Sequence, residues 1–256
     1  MRRLLLGLVG LLGFGVLLDL APRLGLVSER YLPPAGRILA ALVEQADRTA
    51  FWNAVRDTLI TWGLGLGIAC AAGIVVGVVI GAVPVLREMT ASTIEFLRPI
   101  PSVALIPLVT ILYGPTTITS TLVLVVYASF WQVLIQVLHG VADVDPVARD
   151  TARAYRLDTW ARVRYLVWPT ALPYVATGIR LATSVALILA VTGEMILGSP
   201  GLGNSIGVAQ ASNAVPQMYA LVLVVGLLGV TANLLTRAGE RWALAWHPSV
   251  RNEVPA

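Results

Sequence analysis

Asp145-Pro146-Val147-Ala148-Arg149-Asp150-Thr151-Ala152-Arg153-Ala154-Tyr155-Arg156-Leu157-Asp158-Thr159-Trp160-Ala161-Arg162-Val163-Arg164-Tyr165-Leu166-Val167-Trp168-Pro169-Thr170-Ala171-Leu172-Pro173 is a charged island between two long apolar runs. An aspartate followed by proline predicts a helix start. The carboxylate caps orphan backbone donors, and a proline at the first position gives up only an N–H that had no intrahelical partner. Arg149, Arg153 and Arg156 then fall at i, i+4 and i+7 on one face, with Val147, Thr151, Ala154 and Tyr155 on a less charged one, an amphipathic helix and not a membrane span. Asp158 predicts a second cap, on a helix expected to break near Pro169 and Pro173, since an internal proline removes a hydrogen bond and crowds the preceding turn. The expectation is helix, turn, helix, outside the bilayer.

On either side of the island the chain is apolar: 57% of residues are hydrophobic and 12% charged, with mean hydropathy +0.81. That composition, arranged in runs long enough to cross a bilayer, indicates an all-α integral membrane protein. Six spans are expected: Leu4 to Leu18, Leu59 to Val83, Ala91 to Tyr113, Ile118 to Leu138, Tyr174 to Leu197 and Tyr219 to Thr236. The first follows Arg2 and Arg3, has no A-x-A cleavage signal after it, and is read as an uncleaved anchor. As one domain over 1–256, the chain divides into an anchor with an extracytoplasmic segment (1–56), a five-helix core (57–238) and a cytoplasmic tail (239–256). Within 1–56, Ile38 to Val43 and Phe51 to Val55 read as short surface helices. Between the last two spans, one short helix is expected near Asn204 to Ala211.

Gly65, Ala69, Gly73, Gly77 and Gly81 recur every four residues along the second span. Such a ridge of small side chains lets another helix approach closely. Arg87 and Glu88 are read as the turn into the third span, which Pro99, Pro101 and Pro107 interrupt, so it is not one straight helix. The break either borders a pathway, with Pro101 and Ser102 on it, or is a packing kink. In the fifth span Arg180 and Ser184 share a polar stripe. Arg180 either braces the cytoplasmic end or faces the pathway, and Glu194, 14 residues on, is about 21 Å away at ~1.5 Å per residue, too far for a direct pair.

All 18 basic residues are arginine. Without lysine no G-x-x-x-x-G-K-[ST] loop exists, so ATP chemistry would belong to another chain. Cys70 is alone, His139 and His247 stand apart, and no H-E-x-x-H or nucleophile–base set is present. No catalytic residue, metal site or cofactor in this chain is expected, nor any nucleic acid partner. With both termini cytoplasmic, Arg2, Arg3, Arg87, Arg149, Arg153, Arg156, Arg162, Arg164, Arg237, Arg241 and Arg251 all lie inside. Against that count, the five arginines between Asp19 and Arg56 fall outside.

At Asp150, Thr151, Ala152 and Arg156 the island resembles the cytoplasmic loop of permease subunits of ATP-binding-cassette (ABC) importers, which carries Glu-Ala-Ala, three residues and Gly, followed by a hydrophobic-Pro ending. Asp150 stands in place of Glu, Thr151 and Ala152 in place of the alanines, and Arg156 in place of Gly. The missing glycine leaves open how the turn is made. Arg98 to Leu108 (R-P-I-P-S-V-A-L-I-P-L), Pro169 to Pro173 with Gly178-Ile179-Arg180, and Gly201-Leu202-Gly203 are similar to the sulfonate, taurine and nitrate branch of these importers, over most of the chain from Leu32 on. The resemblance implies a type I ABC importer permease fold in a bacterial plasma (inner) membrane. It implies a homodimer, two copies of an ABC ATPase carrying ATP and Mg, and an extracytoplasmic solute-binding protein. Asp150, Thr151, Ala152, Arg149, Arg153 and Arg156 would then form the coupling helix, and the solute would be a small anion such as a sulfonate, taurine, nitrate or bicarbonate. A pyrimidine precursor or other small organic solute, or a membrane scaffold without transport activity, are the alternatives.

Overall fold

The structure, a computed structural model, describes residues 2–246. His247 and Arg251, and the part of the expected tail from 247 on, lie outside the described residues. Every regular element among the described residues is helical: α1 (Arg2–Arg23), α2 (Ala35–Ala46), α3 (Thr49–Ala82), α4 (Pro84–Leu97), α5 (Ile106–Tyr113), α6 (Ile118–Ala142), α7 (Pro146–Ala154), α8 (Thr159–Arg162), α9 (Trp168–Leu197), α10 (Leu202–Ala211) and α11 (Val215–Ala243). A 3-10 turn (Ser102–Leu105) precedes α5, and a π turn (Val163–Val167) joins α8 to α9. Among the described residues four helical stretches are long and apolar enough to cross a membrane: α3, α6, α8 through α9, and α11. A fifth crossing is the pair α4 and α5, bent by 83° at the proline-rich break.

The predicted small-residue ridge decides how these crossings are arranged. A Cβ added at Gly65, Gly73, Gly77 or Gly81 would lie 2.5, 2.9, 2.7 or 2.8 Å from Val125, Val133, Val137 or Val141 of α6. Both helices therefore present an i, i+4 row, and the rows advance in the same direction. Parallel packing means that α3 and α6 cross the membrane in the same sense. The chain between them must return to the first side, which makes the bent α4–α5 pair a crossing and not a re-entrant loop. α6 and α9 meet the opposite way: the close approaches pair Gly140 with Ala171, Gly178 with Val133, and Gly193 with Thr121, an antiparallel order. These two helices are the centre of the bundle, with 44% and 50% of their most apolar stretches buried, against 22% for α3 and 17% for α11. The outer pair keeps large apolar side chains for lipid, which is as good a solvent for them as the bundle.

Several expected boundaries move. The second span begins at Thr49 and takes in Phe51 to Val55, because no breaker separates them from Leu59, and Phe51 is buried against Leu202, Ile206, Ala209 and Leu221. Arg87 and Glu88 lie inside α4, which starts at Pro84 after a single extended residue, Val83. His139 and Gly140 belong to α6, and the last span, α11, runs on past Thr236 to Ala243. The largest correction concerns the prolines. The second helix of the island does not end at Pro169 or Pro173; α8, the π turn and α9 form one helical stretch, Thr159–Leu197. The wider π turn takes up the ring of Pro169, which sits in the first turn of α9, and Pro173 is carried inside α9. A proline is tolerated in a membrane helix where the surrounding bundle and local widening of the turn accommodate it.

The arginines of the segment from Asp19 to Arg56 are partly accounted for. Arg23 pairs with Asp19 (2.8 Å), Arg37 with Glu29 (3.1 Å), and Arg48 with Glu44.

Candidate coupling and translocation sites

The island folds as its capping residues dictate. Asp145 Oδ1 accepts from the backbone N–H groups of Val147 (2.6 Å) and Ala148 (3.2 Å), and Asp158 Oδ1 accepts from that of Ala161 (3.0 Å). Between the two helices the chain turns at Arg156, whose φ of 54° is left-handed. The Arg156 N–H bonds to the Arg153 carbonyl (2.9 Å) and the Leu157 N–H to the Ala152 carbonyl (3.0 Å). Those two bonds define a Schellman ending, in which glycine is the usual left-handed residue. The turn that the resemblance assigns to glycine is thus made by arginine. Arg156 consequently lies beyond α7 and does not share a helical face with Arg149 and Arg153.

Of the residues expected to couple, Ala152 is buried, while Arg149, Asp150, Thr151 and Arg153 are exposed. Thr151 donates to the Val147 carbonyl (2.8 Å), and Arg153 pairs with Asp150 (3.3 Å). Arg149 and Arg153 also line a cavity of about 750 Å³ together with Arg87, Glu88 and Arg162, at the corner where α3 passes into α4. The most outward-facing large side chains of the island are Val147 and Tyr155, which the sequence places on the less charged face, and Trp160 and Tyr165, which sequence reasoning passes over, each more than 70% exposed. The available signal is their occurrence as bulky apolar residues in an otherwise charged stretch.

A second cavity, about 520 Å³, runs along α6 from Tyr127 to His139 under the proline break. Pro101 and Ser102 line it, with Arg98, Trp131, Gln132 and Gln136. The Tyr127 hydroxyl donates to the Leu97 carbonyl (2.8 Å), which fixes the end of α4 over this space. Arg180 and Ser184 are not among its lining residues. Arg180 reaches across to α11 and pairs with Glu240 (3.3 Å), so the partner that the fifth span lacks is found one helix away. Ser184 is exposed on the flank of α9.

At the opposite end of α9, Glu194 is fully buried. Its Oε2 accepts from the Thr58 hydroxyl (2.8 Å) and from the Gly203 N–H (2.9 Å), and the same Thr58 oxygen accepts from the Leu202 N–H (2.8 Å). The carboxyl therefore sits on the unpaired donors at the N-terminus of α10, a position that favours an oxygen acceptor. A Cβ at Gly201 would lie 2.2 Å from the Glu194 carboxyl carbon, and one at Gly203 would lie 2.0 Å from the Val191 carbonyl oxygen. This is the structural content of Gly201-Leu202-Gly203: no other residue leaves room. Beside the knot, Thr121 and Ser199 share a hydroxyl bond of 2.6 Å. No cluster of three metal-ligating side chains occurs among the described residues.

Residues 63–243 match the family described as binding-protein-dependent transport system inner membrane component. The chain is 30% identical to the taurine transport system permease protein TauC of Escherichia coli (strain K12), covering 89% of this chain and 84% of that one. It is 27% identical to the bicarbonate transport system permease protein CmpB of Synechococcus elongatus, over 77% and 71% of the two chains. In three dimensions it resembles a chain of a bacterial ABC transporter involved in the import of the acidic polysaccharide alginate, with TM-score 0.67 at 14% identity, covering 94% and 95%. It likewise resembles a chain of the MetNI methionine ABC transporter, with TM-score 0.65 at 16% identity, covering 76% and 96%.

Proposed function

We propose, from the premise that this chain belongs to the binding-protein-dependent transport system inner membrane components, that it passes a small anionic solute inward through a homodimeric pore driven by two copies of a separate ABC ATPase. The chain is a multi-pass inner-membrane permease subunit of an ABC importer, with the type I permease fold. The anion reading is supported by the relatives named for taurine and bicarbonate transport. Two copies of the chain would place the exposed faces of α4 and α5 against each other, and an extracytoplasmic binding protein would deliver the solute. ATP and Mg would be held by the partner ATPase. With α1 as a sixth crossing, both termini would be cytoplasmic, which puts α7 and α8 inside and Glu194 and α10 outside.

One observation carries the mechanical part. The capped helix pair is not a loop hung between spans but the start of the helix that forms the bundle's centre, since α8 continues through the π turn into α9. Val147, Tyr155, Trp160 and Tyr165 supply an apolar surface for the ATPase, while Arg149, Asp150, Thr151 and Arg153 supply polar contacts around it. A shift of the docked ATPase would therefore act directly on α9, an instance of rigid-element motion at an interface.

The test is reconstitution in proteoliposomes with the co-encoded ATPase and binding protein. Uptake of taurine, nitrate or bicarbonate that requires ATP and both partners is the expected result. A permease that purifies without an ATPase, or uptake indifferent to ATP, would refute the reading. Trp160→Ala together with Tyr155→Ala is expected to release the ATPase during purification, because large exposed aromatics are the anchors of such surfaces.

A further inference from the structure

The corner where α3 passes into α4 leaves a cavity of about 750 Å³ against α7, α8 and the π turn. Four guanidinium groups line it, those of Arg87, Arg149, Arg153 and Arg162, against one carboxylate, Glu88. Arg153 pairs with Asp150, and Arg162 donates to the hydroxyl of Thr159 (3.3 Å), which is on the same lining. Arg87, Arg149 and Arg162 have no ion pair among the described residues. Neither Glu88 nor Glu95, which borders the next cavity along α4 with Arg87, pairs with any of them. Like charges gathered around one space repel, and an anion among them removes that cost. Below the arginines the lining turns apolar: Val141 and Val144, both buried, with Val163, Leu166 and Val167. The bundle does not close the space by itself, since α4 buries none of its residues. Its depth is fixed as well. Two successive crossings meet here through one extended residue, Val83, so the cavity lies at the membrane surface. On the α3 side, Val75, Val79 and Val83 are exposed, the face this helix keeps for lipid.

We propose that this cavity binds the phosphodiester headgroup of an anionic phospholipid, held by Arg87 and Arg162 with Arg149 beside them, while the glycerol end of the lipid lies on the valine floor. Basic pockets between membrane helices at the bilayer surface suit such headgroups. A guanidinium fork meets two phosphate oxygens at once, which an ammonium does not. The apolar floor separates this ligand from a free phosphate ion, which would gain nothing from it. Arg87 belongs to α4 and Arg162 to α8, two helices that share no hydrogen bond or ion pair among the described residues. One phosphate held by both would bridge them. The site is independent of the transported solute and holds whichever anion the permease carries.

The experiment titrates the full-length chain in mild detergent with phosphatidylglycerol, with phosphatidylcholine of the same acyl chains, and with inorganic phosphate, and counts retained molecules by native mass spectrometry. Phosphatidylglycerol is expected to be retained in preference to phosphatidylcholine, and inorganic phosphate is expected not to displace it. Arg87→Gln and Arg162→Gln should each weaken its retention about 5-fold, and the double variant about 25-fold. Arg87→Lys should recover part of the loss by restoring charge without the fork. Arg237→Gln with Arg241→Gln, which removes two exposed arginines at the end of α11, should leave retention unchanged. Three results would each overturn the site. Equal retention of both lipids means that no headgroup is recognised, displacement by inorganic phosphate means that the cavity takes the free ion, and an equal loss in the α11 variant means that the cationic surface at large attracts the lipid. Where the double variant aggregates, the single ones decide by the same criterion. A chain that retains the lipid as expected but carries none of taurine, nitrate or bicarbonate would overturn the solute class and leave the lipid site standing.

Discussion

Gly203→Ala is expected to be the most damaging methyl group that can be added to this protein. Its Cβ would stand 2.0 Å from the Val191 carbonyl oxygen and 2.7 Å from the Glu194 Cβ. A backbone oxygen cannot rotate aside, so α10 must move away from α9 by about an ångström to restore an ordinary contact. That movement stretches both bonds at its N-terminus, Gly203 N–H to Glu194 (2.9 Å) and Leu202 N–H to Thr58 (2.8 Å). Losing one bond to a carboxyl and one to a hydroxyl costs about 2–4 kcal/mol. Overpacking adds about 1–3 kcal/mol. The sum, about 3–7 kcal/mol, is a large part of the ~5–15 kcal/mol that holds a typical domain together. Gly201→Ala should rank next, since its Cβ meets the carboxyl group, which can rotate, though at the loss of its bonds. Glu194→Gln should be mild: the amide oxygen can take the place of Oε2, and the amide nitrogen that of Oε1, which has no partner. The measurement is the fraction of purified complex that survives heating, read by size-exclusion chromatography. A Gly203→Ala complex as heat-resistant as wild type, or a Glu194→Gln complex less resistant than Gly203→Ala, would show that the knot does not hold this end of the bundle.

Three further outcomes follow from the packing. Gly77→Leu should prevent assembly, since even its Cβ would press to 2.7 Å on Val137, and Val137→Ala in the same chain should restore part of the yield; a normal yield from the single variant would mean α3 and α6 do not pack along these rows. Arg156→Gly should stabilise the island by about 1 kcal/mol by relieving the left-handed strain, detectable as slower amide hydrogen exchange across Ala152 to Asp158, and faster exchange would contradict the Schellman ending. Arg180→Gln and Glu240→Gln should behave alike, each losing a partly exposed pair of modest strength. Their double variant should be no worse than either single one, whereas loss of uptake in Arg180→Gln alone would return that arginine to the pathway.

Features set by neighbours along the chain are legible in the sequence. Asp145 and Asp158 announce both caps, and the four-residue spacing of Gly65 to Gly81 announces a close helix contact, because each signal lies within a few turns. The partner is not legible: nothing about Val125 to Val141 marks it as the matching row. Pro169 and Pro173 mislead for a local reason, since the π turn that accommodates them has no sequence mark of its own. Arg156 hides its turn because a left-handed arginine looks like any other arginine. In the candidate site, the proline break points to Pro101 and Ser102, which line the cavity, while polarity alone points to Arg180 and Ser184, which lie off it. Arg98 and Trp131 line one cavity only because the break folds α4 over α6. Glu194 stands out as an acid in an apolar run, but its donors come from Thr58 and Gly203, on two other helices.

The continuity of α8 with α9 has a mechanical meaning. Thr159–Leu197 is a single helical stretch of 39 residues, about 58 Å long at ~1.5 Å per residue. Glu194 fastens it near one end, and Thr159, about 35 residues away, is about 52 Å from that fastening. The stretch is a lever with its fulcrum at the Glu194–Thr58–Gly203 cluster. A tilt of about 5° there carries Thr159 through about 4–5 Å, close to the ~5.4 Å pitch of a helix. An angular change too small to disturb the interior of the bundle thus becomes a stroke of nearly one helical turn at the corner between α7 and α8. The π turn at Val163–Val167, with its looser hydrogen bonding, is where the lever would bend under load.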